Sequence, residues 1–376
     1  MTAEALKKQP RKIAVVLFNL GGPDSKNAIR PFLMNFFMDP NIIRVPIPLR
    51  CFIAWAIARR RTKKQAGESY HELGNRSPLL ENSKLQAEAL EHVLNKPASG
   101  ALYKTFVCMR YWHPMSPQVV REVRDWGADE VVIIPLYPQF STTTTWSSMG
   151  VWNKAAFQAG YEIPTSTLCC YPFNEGFIQA SAEHIATEYQ RARAEGHEKI
   201  RILMSAHGLP KSVIRDGDPY QWQCEETARR VIARVAEMLK IDMSALDWLN
   251  CYQSRVGPQK WIGPATEDEL KRAGQDKTAV LIYPHAFTQE HVETLVELDI
   301  EYREEAEHFG VPGYYRAKTV GTHPAFIEGL AQLVHEKTGT GTVTAEGGQS
   351  LCPQNWAQCC MRMSAEQNSQ QTRKAA

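Results

Sequence analysis

The chain has 376 residues, with 43 Lys+Arg against 41 Asp+Glu, a formal net charge of +2 and 43% apolar side chains. That length suits two domains with substantial cores, and the balance of charge gives nucleic acid no electrostatic claim as the main partner. The longest largely apolar stretch, 41–58, is interrupted by Arg44, Pro46, Pro48 and Arg50, and falls short of the roughly 20 apolar residues that a bilayer span needs.

The first segment, 1–11, is basic without an apolar core. No secretory signal is expected, and the protein is expected in the cytoplasm with its nine cysteines kept as thiols or metal ligands. Residues 13–18 (IAVVLF) then form an apolar run closed by Asn19-Leu20-Gly21-Gly22-Pro23, which reads as a strand ending in a tight loop. Further strands are expected at Phe106–Met109, ending in Arg110 and Pro114, and at Val131–Pro135, with a helical pattern over 115–126 between them.

The pattern then repeats. Lys12–Pro23 lies over Lys199–Pro210 without a gap, Val131–Pro135 over Val280–Pro284, and Phe106–Arg110 is similar to the Trp248–Arg255 run that ends at Pro258; a second helical pattern covers 222–239. Strands alternating with helices imply parallel sheets covered on both faces, so the fold class is α/β: two similar doubly wound domains with a cleft between them. In such sheets a ligand sits beyond the carboxyl ends of the strands. The loops at 19–23, 110–114, 137–148, 205–210, 253–264 and 284–293 are therefore expected to line one site.

Neither first strand is followed by G-x-G-x-x-G, and G-x-x-x-x-G-K-[ST] is absent, which disfavours a dinucleotide or nucleotide enzyme. What the loops carry instead is of three kinds. His207 stands where the first half has Leu20, and an imidazole at the ligand edge can accept protons near neutrality or meet a metal. After the 280–284 strand, Glu290, Glu293, Glu297 and Glu301 recur at i, i+3, i+7 and i+11 and form one ridge on an expected helix, with His291 beside them. A solvated acidic face would look similar, but this ridge starts in a ligand loop, and its donors suit Fe²⁺ or Mn²⁺. Tyr111, Trp112, Tyr137, Phe140, Trp146, Trp261 and Phe287 put rings where polar loops are usual, which suggests a flat apolar ligand, with Arg110 placed to take a carboxylate.

Seven segments in collinear order, FNLGGP (18–23), RYWHP (110–114), YPQFSTTTTWSS (137–148), SAHGLP (205–210), GDPY (217–220), QSRVGPQKWIGP (253–264) and AFTQEHVETLVELDIEY (286–302), resemble the ferrochelatases. The resemblance runs from about residue 12 to 335. It implies two Rossmann-like halves around a porphyrin cleft, and an enzyme that inserts ferrous iron into protoporphyrin IX to give protohaem. His207 matches the histidine that accepts pyrrole protons or meets the metal, and Glu293 the cleft glutamate opposite it. His291, Glu290, Glu297 and Glu301 match the path for metal or protons. Leu20, Tyr70, Ser77, Arg110, Tyr111, Trp261 and Phe287 match porphyrin-contacting positions. The implied domains are 12–180 and 181–335, between an N-terminal extension (1–11) and a tail (336–376).

The segment 41–61 matches the family's apolar lip, and its close in Arg59-Arg60-Arg61 fits peripheral contact with the cytoplasmic face of the inner membrane. The resemblance implies that catalysis requires no cofactor, since Fe²⁺ is itself a substrate. Some members carry a [2Fe–2S] cluster on three tail cysteines and one internal one. Cys352 and Cys360 keep the outer spacing of that motif, Asn355 stands at its middle position so that Cys359 substitutes, and Cys169 and Cys170 are the candidates for the internal ligand because the usual position is Ala180. The remaining thiols, Cys51, Cys108, Cys224 and Cys251, are read as small buried apolar residues, and 364–376 as a frayed end. Two other readings stand beside the main one: a chelatase putting cobalt into a corrin precursor, and a tetrapyrrole carrier without catalysis.

Overall fold

A computed structural model describes residues 10–64, 70–96, 100–255 and 259–375. Most of the expected 1–11 extension and residues 256–258 of the 253–264 loop lie outside them. The strands are β1 (Arg11–Asn19), β2 (Ala101–Met109), β3 (Glu130–Pro135), β4 (Thr165–Leu168), β5 (Ile200–His207), β6 (Asp247–Gln253), β7 (Ala279–Pro284), β8 (Tyr314–Arg316) and β9 (Val343–Thr344). They form two sheets, β2-β1-β3-β4-β9 and β6-β5-β7-β8, in which every pairing is parallel. The first four strands of one sheet and the four of the other have the same order, so the duplicated sequence is a duplicated topology.

The apolar runs are continuous because both faces of each sheet are covered. Ile13, Val15 and Leu17 point into one core of the first sheet, and Ala14, Val16 and Phe18 into the other. In the second sheet Ile202 and Met204 face one core and Leu203 the opposite one. This is the period-2 alternation of a strand, hidden in sequence because neither face meets water.

The chain does not divide as the sequence suggests. The 180/181 boundary falls inside the helix Glu175–Ala194, whose Phe177 and Ala180 enter the first core while Ile178, Ala182 and Ile185 enter the second. The helix Pro324–Lys337, expected with the second half, packs Phe326, Leu330 and Val334 under the first sheet. The tail joins the first half too: β9 pairs with β4, and the expected frayed end is a helix, Cys360–Ala375.

Candidate active site

The two halves meet through buried polar clamps. Asp218 of the second half accepts hydrogen bonds from the Thr142 backbone N–H (2.7 Å), the Thr142 hydroxyl (2.7 Å) and the Ser141 hydroxyl (3.0 Å) of the first. Asn19 donates to Gln289 Oε1 at 3.1 Å, and Gln86 donates to the carbonyls of Thr288 and Gly321 at 2.9 and 2.7 Å. These contacts fix the 284–291 loop against the end of β1. The cleft is set by groups with no water to compete for them.

His207 ends β5, and its carbonyl accepts from the Tyr220 hydroxyl at 3.1 Å. Its Nδ1 lies 2.8 Å from Glu293 Oε2, and the two side chains remain 36% and 23% exposed. Both therefore face the cleft. They also touch, so nothing passes between them: the expected arrangement of histidine and glutamate on opposite sides of a slot is replaced by a single pole made of both. Burial alone would lower the imidazole's pKa, but the charge and hydrogen bond of Glu293, with the charge of Glu297, outweigh it and the value ends raised. Burial likewise resists the Glu293 carboxylate, yet His207, His291 and Arg61 hold it well below the usual carboxylate range.

Glu293 opens a π-helix, Glu293–Glu301, and the matching place after β3 is also a π-helix, Thr142–Trp146. The i→i+5 bonding of such a helix has roughly 4.4 residues per turn, so residues four apart stay nearly in line. Glu293, Glu297 and Glu301 keep the expected ridge. Glu297 accepts from the Ser254 N–H (2.9 Å), the Ser254 hydroxyl (2.6 Å) and the Tyr302 hydroxyl (3.2 Å), and burial followed by the charge of Glu293 pushes its carboxyl up to about 7. Ser254 makes both bonds from a left-handed backbone, φ 62, a conformation a serine rarely holds without compensation. Glu301 reaches solvent.

Glu290 departs from the expected ridge. It precedes the helix and is tied up by Arg316 Nη1 at 2.7 Å and the Thr319 N–H at 2.8 Å, so it does not continue the ridge. Arg316 also holds Asp299, and its charge keeps the Glu290 carboxyl low against the pull of burial. His291 is buried beside Phe287, ring centroids 4.5 Å apart, and burial lowers its pKa, so the ring is neutral.

The aromatic expectation divides. Trp261, whose backbone bridges to Pro210, and Phe287 are half-buried at the cleft. Leu20 is half-buried too, against the cluster that holds Tyr70, whereas Tyr111 and Phe140 are fully buried and pack in cores. Ser77 is buried beneath Gly22, where an added Cβ would come within 2.5 Å of its side chain. Arg110 is not free to hold a ligand carboxylate with its whole fork: Nη2 donates to Asp39 at 2.8 Å and Nε to Ser147 at 2.7 Å.

Two participants escaped the sequence. Arg61, read as part of a lipid-facing cluster, lies close enough to feel the charge of Glu293, as Tyr70 does. Asp39, in the turn after the helix Ile29–Phe37, anchors Arg110. Arg61 follows two exposed arginines, Arg59 and Arg60, and differs from them only in being half-buried. The helix that carries Arg61, Ile47–Lys64, buries Ala54 and Ala58 and leaves Ile47, Phe52 and Trp55 at 64%, 65% and 41% exposure. Cys51 on it is exposed, contrary to the reading of a buried thiol. Among the described residues no helix is long and apolar enough to cross a membrane.

Away from the cleft, Cys169, Cys170, Cys352, Cys359 and Cys360 gather in one buried pocket. The Cys169 and Cys170 sulfurs are 3.8 Å apart, and Gln223 Nε2 reaches Cys352 at 3.2 Å and Cys170 at 3.6 Å. Cys359 is hydrogen-bonded by Cys352, which draws its thiol down to about 5. Among the described residues no three His, Cys, Asp or Glu side chains are placed to hold a single metal ion. A two-iron cluster asks for something different, two thiol pairs, one for each iron.

The ferrochelatase family model matches residues 12–338. The chain belongs to the ferrochelatase family. A protein of Hyphomonas neptunium named ferrochelatase is 46% identical over 351 residues, covering 93% of this chain and 94% of that one. A Caulobacter vibrioides ferrochelatase is also 46% identical, over 94% of this chain and 99% of its own. SirB from Bacillus subtilis, solved with Fe³⁺, superposes with a TM-score of 0.50 at 11% identity, over 88% of this chain and 96% of that one. At that identity the likeness shows the two-domain fold alone. Family membership accounts for the collinear segments, and within the family the His207–Glu293 pole lies on two of them.

Proposed function

We infer that the protein is a ferrochelatase, inserting ferrous iron into protoporphyrin to form haem, and that the His207–Glu293 pair is its working centre. The carrying observation is the 2.8 Å contact between His207 Nδ1 and Glu293 Oε2 at the open end of β5. A porphyrin gives up two N–H protons as the metal enters, so the site needs a base. With Nδ1–H donated to Glu293, the neutral imidazole keeps its Nε2 lone pair for those protons. Glu293 stabilises the imidazolium that forms. Glu297, with a carboxyl near neutrality, takes protons onward past Ser254 and Tyr302 toward Glu301 and solvent. Trp261 and Phe287 grip the macrocycle, and His291 is a neutral metal donor beside Glu293. A carrier would have no use for this combination of base and relay.

The apolar ridge Ile47, Phe52 and Trp55, closed by Arg59 and Arg60, supports peripheral contact with an anionic membrane, from which a hydrophobic porphyrin enters. The gathered thiols support a [2Fe–2S] cluster held by Cys352, Cys359 and Cys360 with one of Cys169 and Cys170. Such a cluster would supply one-electron redox capacity, and these cysteines would fasten the tail to the first sheet through it.

The test is anaerobic mixing with Fe²⁺ and protoporphyrin, followed by loss of free-base fluorescence. His207→Ala is expected to cost at least roughly a hundredfold in rate, with porphyrin affinity kept within about threefold. Wild-type turnover absent with iron and protoporphyrin, but present with cobalt and sirohydrochlorin, would replace this reading by the cobalt one.

A further inference from the structure

A cavity of about 750 Å³ opens where the two halves meet at the cleft mouth, lined by Ile42 and Arg44 from the first half and by Pro210, Lys211, Arg215, Asp216 and Lys260 from the second. Pro210 is three residues beyond His207 and bridges to Trp261. Three residues of chain span at most roughly 10 Å, so the cavity begins beside the chelation pole. Its charge is lopsided. Four cationic side chains face it against one carboxylate, and that carboxylate is already shared, with Arg44 at 2.8 Å on one oxygen and Arg215 at 4.0 Å on the other. The ammonium groups of Lys211 and Lys260 make no hydrogen bond or ion pair among the described residues, although the two backbones are joined by Lys211 N–H to Lys260 O at 2.8 Å.

Like charges crowded at an opening repel unless an anion joins them. Arg110, the residue expected from sequence to take a substrate carboxylate, is held by Asp39 and Ser147 instead. We propose that Lys211 and Lys260, with Arg44 and Arg215, are the substrate-specificity rim: they bind the propionate carboxylates of the porphyrin at the cleft mouth and so set which edge of the macrocycle faces out. The proposal rests on the porphyrin reading above. It adds that carboxylates are recognised by the second half's mouth, and that an incoming propionate competes with Asp216 for Arg44.

The experiment uses the full chain with Lys211→Glu and Lys260→Glu, singly and together, against two porphyrins: the free dicarboxylate and its uncharged dimethyl ester. Equilibrium binding is read by fluorescence, and turnover with Zn²⁺ by loss of the free-base signal. Both lysines are exposed, so the variants fold. The double variant is expected to raise the Kd and KM for the dicarboxylate by roughly three- to tenfold, with the change carried in KM, steeper at low salt, and under twofold for the diester. Equal weakening for both porphyrins, or no weakening for either, overturns the rim. A wild type that binds the dicarboxylate through the rim yet turns nothing over would sink the chelatase reading while leaving the rim standing.

Discussion

Asp39 meets Arg110 beneath the cleft at 2.8 Å, with the carboxylate fully buried and the guanidinium 14% exposed. The same Asp39 oxygen accepts from the Tyr111 hydroxyl at 2.7 Å and from the Ser147 hydroxyl, and the Arg110 guanidinium lies 4.6 Å from the Tyr111 ring centre. One carboxylate thus gathers the RYWHP loop, the helix after the Thr142–Trp146 π-helix and the turn that leads into the lip into one body.

Removing that carboxylate leaves Arg110 buried without its partner. Asp39→Ala is expected to cost about 3 kcal/mol of stability, since losing one member of a buried pair exposes the desolvation cost of the other. Urea unfolding measures it. A loss below about 1 kcal/mol would mean the anchor is dispensable.

The pH profile of chelation follows from the pole. His207 acts as a base only when neutral, and its pKa is raised above the ordinary histidine value, so the rising limb of kcat/KM is expected above about 6.5. Glu293→Gln removes the main raising influence and leaves burial, which lowers the pKa. The limb of the residual activity is then expected to move toward acid. A limb that stays put would place the titrating base elsewhere.

The ion pair also carries a stability signature. Raised His207 contributes stability at pH below its unfolded value, lost as pH climbs through its folded value. Depressed Glu293 contributes above the unfolded carboxyl value, lost as pH falls through its folded one. The pair's contribution is therefore greatest between about 4.3 and 6.5, the two unfolded values. A His207→Phe variant is expected to lose stability relative to wild type in that window more than at pH 9. Thermal unfolding across pH reads this, and a pH-independent difference would show that the contact is not charged.

Gly217 ties the thiol pocket to the segment after His207. Its φ is +104, a Cβ there would lie 3.0 Å from the Ala357 nitrogen, and its carbonyl accepts from the Gln358 N–H at 3.0 Å. Gly217→Ala pushes the tail away, so Cys352 and Cys359 are expected to react with a thiol reagent at least several-fold faster than in wild type. Unchanged thiol kinetics would show that the tail is held by its helix alone. The anaerobic ultraviolet–visible spectrum of the wild type tests the cluster itself, and Cys352→Ser is expected to remove any visible absorption.

Sequence made the doubled sheet legible because β1 and β5 lie over each other without a gap to the strand ends, and a strand buried on both faces announces itself as an apolar run. His207 and Glu293 were legible because each sits at the end of such a run or just after it. Three features were not. The 290–293–297–301 spacing fits an α-helical ridge, so nothing local separates Glu290, which Arg316 claims from a strand 26 residues away, from its neighbours. Tyr111 and Phe140 lie in loop segments whose burial is decided by what folds over them. Asp39 and Arg61 gain their meaning only when the lip helix packs, an event with no periodicity to read.

The helix Pro324–Lys337 and β9 complete the sheet that begins at residue 11. On the ribosome, therefore, the N-terminal half emerges first but waits, one hydrophobic face unshielded, while the C-terminal half is made and folds. A stop codon near residue 320 would spare every candidate catalytic group named above, yet it should yield aggregate in place of enzyme.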